Sequence, residues 1–468
     1  MQTVAGVRAL FARVALPLGF FAALLLLPEA TEDPALRSVV PWFVVLIMLQ
    51  VAPAMLSGRP DLFSPPVSGG LTGAFSTLSA LLSFFVIGEL RMGLLHSSDP
   101  NQTADVAIQT ILAMIVGTLG HYVGFYSRFG ARWRVLFPRM GDIVWSGRRV
   151  LLVALIPAVL FVVAYTIFQS RVGVSLFDVT ELARGKETWR SDPTLSWMLR
   201  GVEMGFVPAL LYFTWAASQR GNRSLLVAAV VCVLVGLLVL RLGQRGPLAF
   251  GVLIAVIVFH YLRRRIPIWV FIAVYFVGIV ASNIMYHWRV DDPDTPRIEA
   301  VSQIVDDPAQ VLTTHEKERQ RFIIMAYIME EFPDTYPYLL GESWVGMVTA
   351  FVPRWIWPEK GESYEWSDNR IVFRISGIPA PTPYIGVLYS NFSWVGIVFG
   401  TMLLGFFHRG LYEWRLREAR DPGTNLLYAL ILIFFAPTSM GISATLQYVV
   451  PVWLLTRLMG RRAPRSPR

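Results

Sequence analysis

The sequence predicts an all-α fold, a polytopic transmembrane helical bundle of about twelve spans, with a long outer loop carrying short interfacial helices. Of the 468 residues, 54% are hydrophobic and only 16% are charged, and the mean hydropathy is +0.53. Apolar stretches near the length of a membrane-crossing helix recur along the chain, with arginines between alternate stretches. A soluble protein of this length would carry more charge, so the bilayer is the predicted solvent.

Each predicted span is an apolar stretch close to the roughly 20 residues that a helix needs to cross the hydrocarbon core. The stretches are residues 10–27, 39–56, 71–89, 104–126, 150–169, 198–217, 225–240, 247–262, 268–286, 384–407, 426–438 and 445–459. The last two are short, and one bent hairpin around residues 436–438 is an alternative. The first lacks a small-residue cleavage site, which favours an uncleaved helix over a signal peptide. No linker or repeat divides the chain, so residues 1–468 are predicted to form one membrane domain.

The arginines between the spans predict the orientation. With the N-terminus inside, the inward loops and the tail hold the basic clusters, whereas the opposite loops are acidic or mixed. These inward arginines are Arg128, Arg132, Arg134, Arg139, Arg148, Arg149, Arg220, Arg223, Arg263, Arg264, Arg265, Arg461, Arg462, Arg465 and Arg468. An even number of spans then places both termini in the cytoplasm. The net charge of +9 is explained by this orientation, so we expect no nucleic-acid partner.

Residues 287–383 form the one long loop, which the topology places outside. A loop of this length is more often functional than decorative. It contains two apolar pieces, residues 322–329 and 344–352, that are too short to span and suit helices lying on or dipping into the outer interface. We therefore expect this loop to roof a cavity that opens at the outer leaflet.

Cysteine and metal chemistry are not expected. The single cysteine, Cys232, lies within an apolar run, where it can form no internal disulfide and is poorly placed as an exposed thiol. Asp291, Asp292 and Asp294 form an acidic cluster, but consecutive carboxylates after a span are usually a solvated loop start, and no further ligand set is spaced around them. No metal and no other cofactor is predicted. His121, His260 and His408 lie near span ends, as interfacial residues often do.

Two motifs with arginine stand in order along the chain. Residues 241–248 read Arg-Leu-Gly-Gln-Arg-Gly-Pro-Leu between two spans, and residues 353–361 read Pro-Arg-Trp-Ile-Trp-Pro-Glu-Lys-Gly late in the outer loop. Weaker elements are Arg321-Phe322 and the entry to the next span, which contains Gly386, Tyr389, Asn391 and Phe392.

In this order and spacing the motifs resemble those of the Wzy-type oligosaccharide repeat-unit polymerases, which assemble O-antigen and related polysaccharides. Members show a Gly-Ser-Arg-Gly-like turn, in which Gln244 takes the Ser place here. They also show a Pro-Arg-x-x-Trp-Pro-x-Lys-Pro stretch, in which Gly361 takes the final Pro place. The resemblance covers roughly residues 240–405, and the rest shares only the general topology.

The resemblance implies polymerisation at the outer leaflet of a bacterial cytoplasmic (inner) membrane. A growing glycan would be transferred from its undecaprenyl pyrophosphate carrier to the non-reducing end of another carrier-linked repeat unit. The implied partners are these lipid-linked glycans and the bilayer, together with a chain-length regulator and a flippase.

The implied glycosyl transfer requires fixed cations and a general base. Arginine suits the leaving pyrophosphate because its planar fork donates two hydrogen bonds and stays charged. Arg245 and Arg354 are the first choices, and the further substrate-binding candidates are Arg241, Arg289, Arg321, Asn369 and Arg370. A carboxylate or histidine would activate the attacking sugar hydroxyl, and the candidates are Asp368, Glu359, Glu342 and His315. A solvated salt bridge is the alternative role for each loop charge.

Other functions compete with this one. An O-antigen ligase shares the topology and the arginines but transfers the glycan to another acceptor. A lipid-linked oligosaccharide flippase or other transporter should show interrupted helices and polar residues at the midplane, whereas these spans are nearly free of central charges. A membrane protease of the exosortase type needs an outward-facing cysteine, which Cys232 does not provide. A purely structural subunit is the remaining alternative.

Overall fold

The computed structural model describes residues 34–57, 60–86, 100–140, 143–172, 205–219, 221–241, 245–271, 316–344, 382–436, 439–440 and 442–462. These residues are helical apart from four strands of two or three residues and their connections. The helices are α1 (Pro34–Arg37), α2 (Val40–Leu56), α3 (Pro65–Val86), α4 (Pro100–Tyr126), α5 (Arg128–Arg132), a 3-10 helix (Trp133–Leu136), α6 (Gly147–Val172), α7 (Phe206–Ser218), α8 (Asn222–Arg241), α9 (Arg245–Leu262), α10 (Glu316–Glu331), α11 (Tyr384–Arg417), α12 (Pro422–Phe434) and α13 (Ile442–Met459). The strands are β1 (Ile143–Trp145), β2 (Phe435–Ala436), β3 (Ser439–Met440) and β4 (Gly460–Arg462).

The predicted all-α class is confirmed for the described residues. A helix lies on each predicted stretch except 10–27 and most of 268–286, which fall outside the described residues. Among the described helices, three are long and apolar enough to cross a membrane, and they cover Asn101–Tyr126, Gly147–Arg171 and Tyr384–Arg417. Shorter apolar helices lie on the predicted stretches 39–56, 198–217, 225–240, 247–262, 426–438 and 445–459. The count of about twelve spans stays a prediction.

Helix α6 has the surface expected of a helix in lipid. Only 11% of the residues in its most apolar part are buried inside the protein. The exposed side chains include Leu151, Leu152, Leu155 and Leu160. Water would oppose so much exposed apolar surface, whereas hydrocarbon accommodates it. The described part of the chain is therefore compatible with a membrane protein.

Contacts group the chain into two compact units, described separately below. Unit 1 comprises Met1–Leu136, Ile304–Tyr412 and Ala436–Ser443, and unit 2 comprises Phe137–Gln303, Glu413–Phe435 and Ala444–Arg468. The single membrane domain stays a prediction.

Unit 1 is built around α2, α3 and α4, with α10 packed against α3 and α4. The apolar residues 322–329 of α10 are all buried, and the rings of Phe43 and Phe322 lie 5.2 Å apart. This piece of the predicted outer loop is thus a helix, as expected. It packs against neighbouring helices, since Phe322 belongs to one apolar cluster with Phe43, and Ile323 and Tyr327 belong to another with Val106. Its position at the outer interface stays a prediction.

Unit 2 contains α6, α7, α8, α9, α12 and α13. Helices α12 and α13 run antiparallel, since Phe434 stacks on Tyr448 at 4.8 Å near one end and a Cβ at Gly423 would meet Thr456 at 3.4 Å near the other. The last two predicted stretches therefore do form a helical hairpin. Strands β1 and β4 pair antiparallel with Val144 opposite Arg461, which joins the start of α6 to the end of α13.

Candidate functional site

Helix α11 is interrupted and reverses its direction. Phe392 and Ser393 have non-helical backbone angles, and φ of Ser393 is +56°. The Tyr384 hydroxyl donates to the carbonyl of Gly400 at 3.0 Å, although a continuous helix would separate these residues by about 24 Å. The Leu388 side chain also contacts Gly400, and a Cβ at Gly396 would overlap the Leu388 carbonyl. Residues 384–391 therefore form a short arm that folds back along a long arm, residues 394–417.

This reversal corrects the predicted span at residues 384–407. Hydropathy measures apolar content and is blind to chain direction, so the short arm and the long arm merged into one stretch. The long arm alone has the length needed to cross a bilayer. The short arm is only roughly 12 Å long and begins beside Gly400, about six residues along the long arm from the reversal. The chain therefore enters α11 beside Gly400 of the long arm and not at the reversal.

A buried polar cluster holds the reversal in place. Asn391 is fully buried, and its Oδ1 accepts from the Gly341 N–H at 2.9 Å and from the Ser343 hydroxyl at 2.8 Å. Its Nδ2 donates to the carbonyl of Val387 at 2.8 Å. The Tyr338 hydroxyl donates to Ser393 Oγ at 3.1 Å. One amide side chain thus ties the loop after α10 to the end of the short arm.

The backbone of that loop caps the short arm. A helix ends with carbonyl groups that have no partner inside the helix, and here Leu339 and Leu340 donate their N–H groups to Ser390 and Asn391 at 2.9 and 3.1 Å. To do so the loop adopts positive φ at Leu340 (+46°) and Gly341 (+93°). The conformation suits glycine and is strained for leucine. Residues 338–343 and the tip of α11 form one structural element.

A cavity of about 120 Å³ lies among α3, α4, α10 and α11 in unit 1. Its wall is mostly apolar, with glycines and hydroxyl groups at Gly73, Gly117, Thr118 and Thr401. Several of the polar side chains already have partners: Thr118 and Thr401 donate to carbonyls of their own helices. The lining also contains Gln50, which accepts from the Thr77 hydroxyl, and His121. Because its polar groups are bonded within the protein, the cavity suits an apolar or weakly polar occupant.

Two buried histidines meet beside this cavity. His121 Nε2 lies 2.9 Å from His408 Nδ1, and both side chains are almost fully buried. The two rings thus satisfy each other inside the bundle, and their predicted position near the span ends stays a prediction. The topology could have found this pair, since it places both residues near the inner ends of their spans. The sequence marked Asn391 only as a residue of a motif. Its role in the buried cluster could not be predicted, because its partners lie about fifty positions earlier in the chain.

In unit 2, helices α8 and α9 run antiparallel on either side of the predicted arginine turn. Arg241 is the last residue of α8 and Arg245 is the first residue of α9. An apolar cavity of about 330 Å³ runs between these helices, from Leu237 and Leu248 next to the turn to Ala229 and Phe259 at the far end. Phe206 and Phe213 of α7 close its back. Its length along the helices is roughly 12 to 16 Å.

The structure describes only some of the other predicted site residues. Glu342 is exposed and lies between Gly341 and Ser343, the two residues that bind Asn391. Arg321 lies in the first half of α10. Cys232 is half-buried and lines the cavity between α8 and α9. The remaining candidates lie outside the described residues, and they are Arg289, His315, Arg354, Glu359, Asp368, Asn369 and Arg370.

Among the described residues outside the predicted spans, Asp421 has a shifted pKa. Asp421 caps α12, and its Oδ2 accepts from the N–H and the hydroxyl of Thr424 at 2.6 and 2.8 Å. Burial raises the pKa of Asp421 to about 6, although the Thr424 hydrogen bonds oppose this shift. Its Oδ1 has no hydrogen-bond partner among the described residues. The N-cap of α12 is therefore a carboxyl group that becomes protonated as the pH falls through about 6.

No protein-family model, no curated protein and no solved structure matches this chain.

Proposed function

We propose that this protein is a membrane glycosyltransferase that joins undecaprenyl-pyrophosphate-linked oligosaccharide repeat units at the outer leaflet of the bacterial cytoplasmic membrane. The observation that carries the proposal is the apolar cavity between α8 and α9, which ends beside the turn that begins at Arg241 and leads to Arg245. A lipid-linked phosphate needs an apolar channel for its tail and cations near the end of that channel, and Arg241 and Arg245 lie within four residues in sequence of Leu237 and Leu248, which line this end of the cavity.

The arginines would act on the leaving group. In the proposed reaction the sugar hydroxyl of the acceptor attacks the anomeric carbon of the donor glycan, and the bond to the carrier pyrophosphate breaks. The negative charge that develops on the pyrophosphate is stabilised by fixed guanidinium groups, which cost no reorganisation as the bond breaks. Arg245 and Arg354 take this role, with Arg241, Arg289, Arg321, Asn369 and Arg370 as further phosphate or sugar ligands.

The acceptor hydroxyl must lose its proton as the new bond forms. Glu342 is exposed on the loop that caps the tip of α11, and a rigid loop is a suitable support for a general base. Asp368, Glu359 and His315 belong to the same proposed outer loop, residues 287–383, and are the alternatives for this role.

The proposed topology has about twelve spans, both termini in the cytoplasm and the loop 287–383 outside. It is tested by single cysteines in a Cys232→Ala background. A cysteine at Ser302 should react with an impermeant maleimide applied outside intact cells, whereas one at Ser146 should react only after the membrane is permeabilised. Equal labelling at both positions from outside contradicts the topology.

The catalytic proposal is tested on lipid-linked glycans in cells. Arg245→Ala and Arg354→Ala should accumulate normally in the membrane yet leave single repeat units, because each arginine contributes about 1.5 to 3 kcal/mol through charge-assisted hydrogen bonds. Arg245→Lys and Arg354→Lys should restore only part of the activity, since lysine keeps the charge and loses the fork. Long polymer from either well-expressed alanine variant removes that arginine from the proposed site.

A second candidate is transport of a lipid-linked oligosaccharide. The interrupted α11 and the cavity beside its short arm favour it, because discontinuous helices next to a cavity are a feature of transporters. Mass spectrometry of lipid-linked glycans in a deletion strain, combined with a membrane-impermeant glycosidase applied to intact and to permeabilised spheroplasts to assign the leaflet, separates the candidates. Single units on the outer leaflet support the polymerase, single units retained on the inner leaflet support transport, and long chains without an acceptor support a ligase.

A further inference from the structure

The residues that follow α4 combine arginines with large apolar side chains. Residues 127–136 read Ser-Arg-Phe-Gly-Ala-Arg-Trp-Arg-Val-Leu and form α5 and the 3-10 helix. No aspartate or glutamate occurs between Asp105 and Asp142. The sequence around this segment is therefore purely cationic at the point where a helix able to cross a membrane ends.

The segment is fixed to unit 1. The Ser127 hydroxyl donates to the carbonyl of Gly124 at 2.8 Å, and the Gly130 N–H donates to Ser127 Oγ at 3.0 Å. The Phe129 ring lies 5.2 Å from that of Phe406, and the Trp133 ring lies 5.9 Å from it. These contacts turn the chain off the axis of α4 and lay it across the long arm of α11. The segment therefore has a defined position at the end of α4, against the long arm of α11.

Its outer surface is both cationic and apolar. The exposed fractions of Phe129, Val135 and Leu136 are 52%, 81% and 61%. Arg128, Arg132 and Arg134 are exposed on the same ten residues. In the part of the chain that the structure describes, none of these arginines is paired with a carboxylate. Apolar side chains so exposed would be unfavourable in water, and uncompensated cations would be unfavourable in hydrocarbon.

We propose that residues 127–136 bind the headgroups of anionic phospholipids. Phe129, Val135 and Leu136 enter the boundary of the acyl chains, while Arg128, Arg132 and Arg134 bind the phosphates. The headgroup region is the one environment that satisfies both sets, because phosphate lies within a few ångströms of hydrocarbon there. An acidic protein or a nucleic acid would satisfy the arginines and leave the three apolar side chains in water. This inference does not depend on the proposed enzymatic function.

Native mass spectrometry of the purified full-length protein tests the site. Phosphatidylglycerol and phosphatidylcholine with the same acyl chains are titrated separately, and the retained lipid is counted. Wild-type protein should retain phosphatidylglycerol preferentially. The double variant Arg132→Gln/Arg134→Gln should bind it roughly 30-fold more weakly at low ionic strength, from about fivefold for each arginine.

The matched control is Arg417→Gln/Arg420→Gln, which removes the same charge from two exposed arginines in a stretch that also contains Glu413, Glu418 and Asp421. It should change phosphatidylglycerol retention by less than about twofold. Arg132→Lys/Arg134→Lys keeps the charge and should keep most of the binding, and equal melting temperatures show that all variants fold. Unchanged phosphatidylglycerol binding in Arg132→Gln/Arg134→Gln, or an equal loss in the control, overturns the proposal.

Discussion

Asn391 is predicted to be the residue on which the reversal of α11 depends most. Replacing Asn391 by alanine removes the acceptor of the Gly341 N–H and of the Ser343 hydroxyl, which is itself 3% exposed. The Val387 carbonyl keeps a partner, because the Ser390 hydroxyl also donates to it. Two buried groups without partners cost about 1 to 3 kcal/mol each, so Asn391→Ala should lose about 2 to 6 kcal/mol of unfolding free energy.

The measurement is thermal unfolding of the purified protein in detergent, followed by tryptophan fluorescence. A loss of this size should lower the melting temperature by roughly 2 to 6 °C. Ser390→Ala is the matched control, because Ser390 is equally buried and adjacent but makes only a local bond to Val387. It should cost about 1 kcal/mol.

A double-mutant cycle tests whether the Asn391–Ser343 bond itself is responsible. Ser343→Ala alone removes one of the two donors, and the double variant should cost less than the sum of the single variants because they share one bond. Additive effects, or an Asn391→Ala protein that melts within about 1 °C of the wild type, would refute the role assigned to this amide.

Three further predictions concern separate residues. Leu340→Gly should raise the free energy of unfolding by roughly 0.5 to 1 kcal/mol, because Leu340 is exposed and held at a φ of +46°; Leu340→Ala keeps the Cβ and should gain nothing in the same melting assay. The raised pKa of Asp421 means that the folded state holds a proton more tightly than the unfolded state, whose pKa is near 3.8. Stability should therefore fall by up to about 3 kcal/mol as the pH rises from about 4 to 6 and stay level above that. Asp421→Asn should abolish this slope and melt higher at pH 7, whereas Asp421→Ala should lose the helix cap. Cys232→Ala should leave the glycan chain-length distribution unchanged, and loss of polymer at normal protein abundance would restore a role for the thiol.

The sequence predicts those features of the fold that depend on local composition. Helix α6 was found because its apolar residues have no need of a particular partner and lipid accepts all of them. The reversal at Phe392 and Ser393 was missed because it depends on residues 338–343, and local hydropathy contains no information about that pairing. Gly396 and Gly400 gave a signal, since small residues at this spacing permit a close approach, but they do not say which segment approaches.

The same distinction between local and long-range features applies to the candidate site. Arg241 and Arg245 were correctly expected at the turn between two helices, because the apolar runs on both sides define the turn. The cavity between α8 and α9 could not be predicted, because its volume depends on how Gly236 and Gly251 face Phe206 across three helices. The contact between His121 and His408 depends on the pairing of helices that are far apart in sequence.

The predicted orientation withstands the correction to α11. The short arm begins beside Gly400 and ends where the long arm begins, so the pair still counts as one crossing in the predicted topology, as the single predicted span did. Helix α12 has 13 residues, or roughly 20 Å, which is short of the roughly 30 Å hydrocarbon core. Because α12 and α13 form an antiparallel hairpin, they add either two crossings or none, and each case leaves the C-terminus on the same side. The predicted side of the two termini depends on the arginines between the spans, and labelling at Ser146 and Ser302 tests it independently of the exact number of spans.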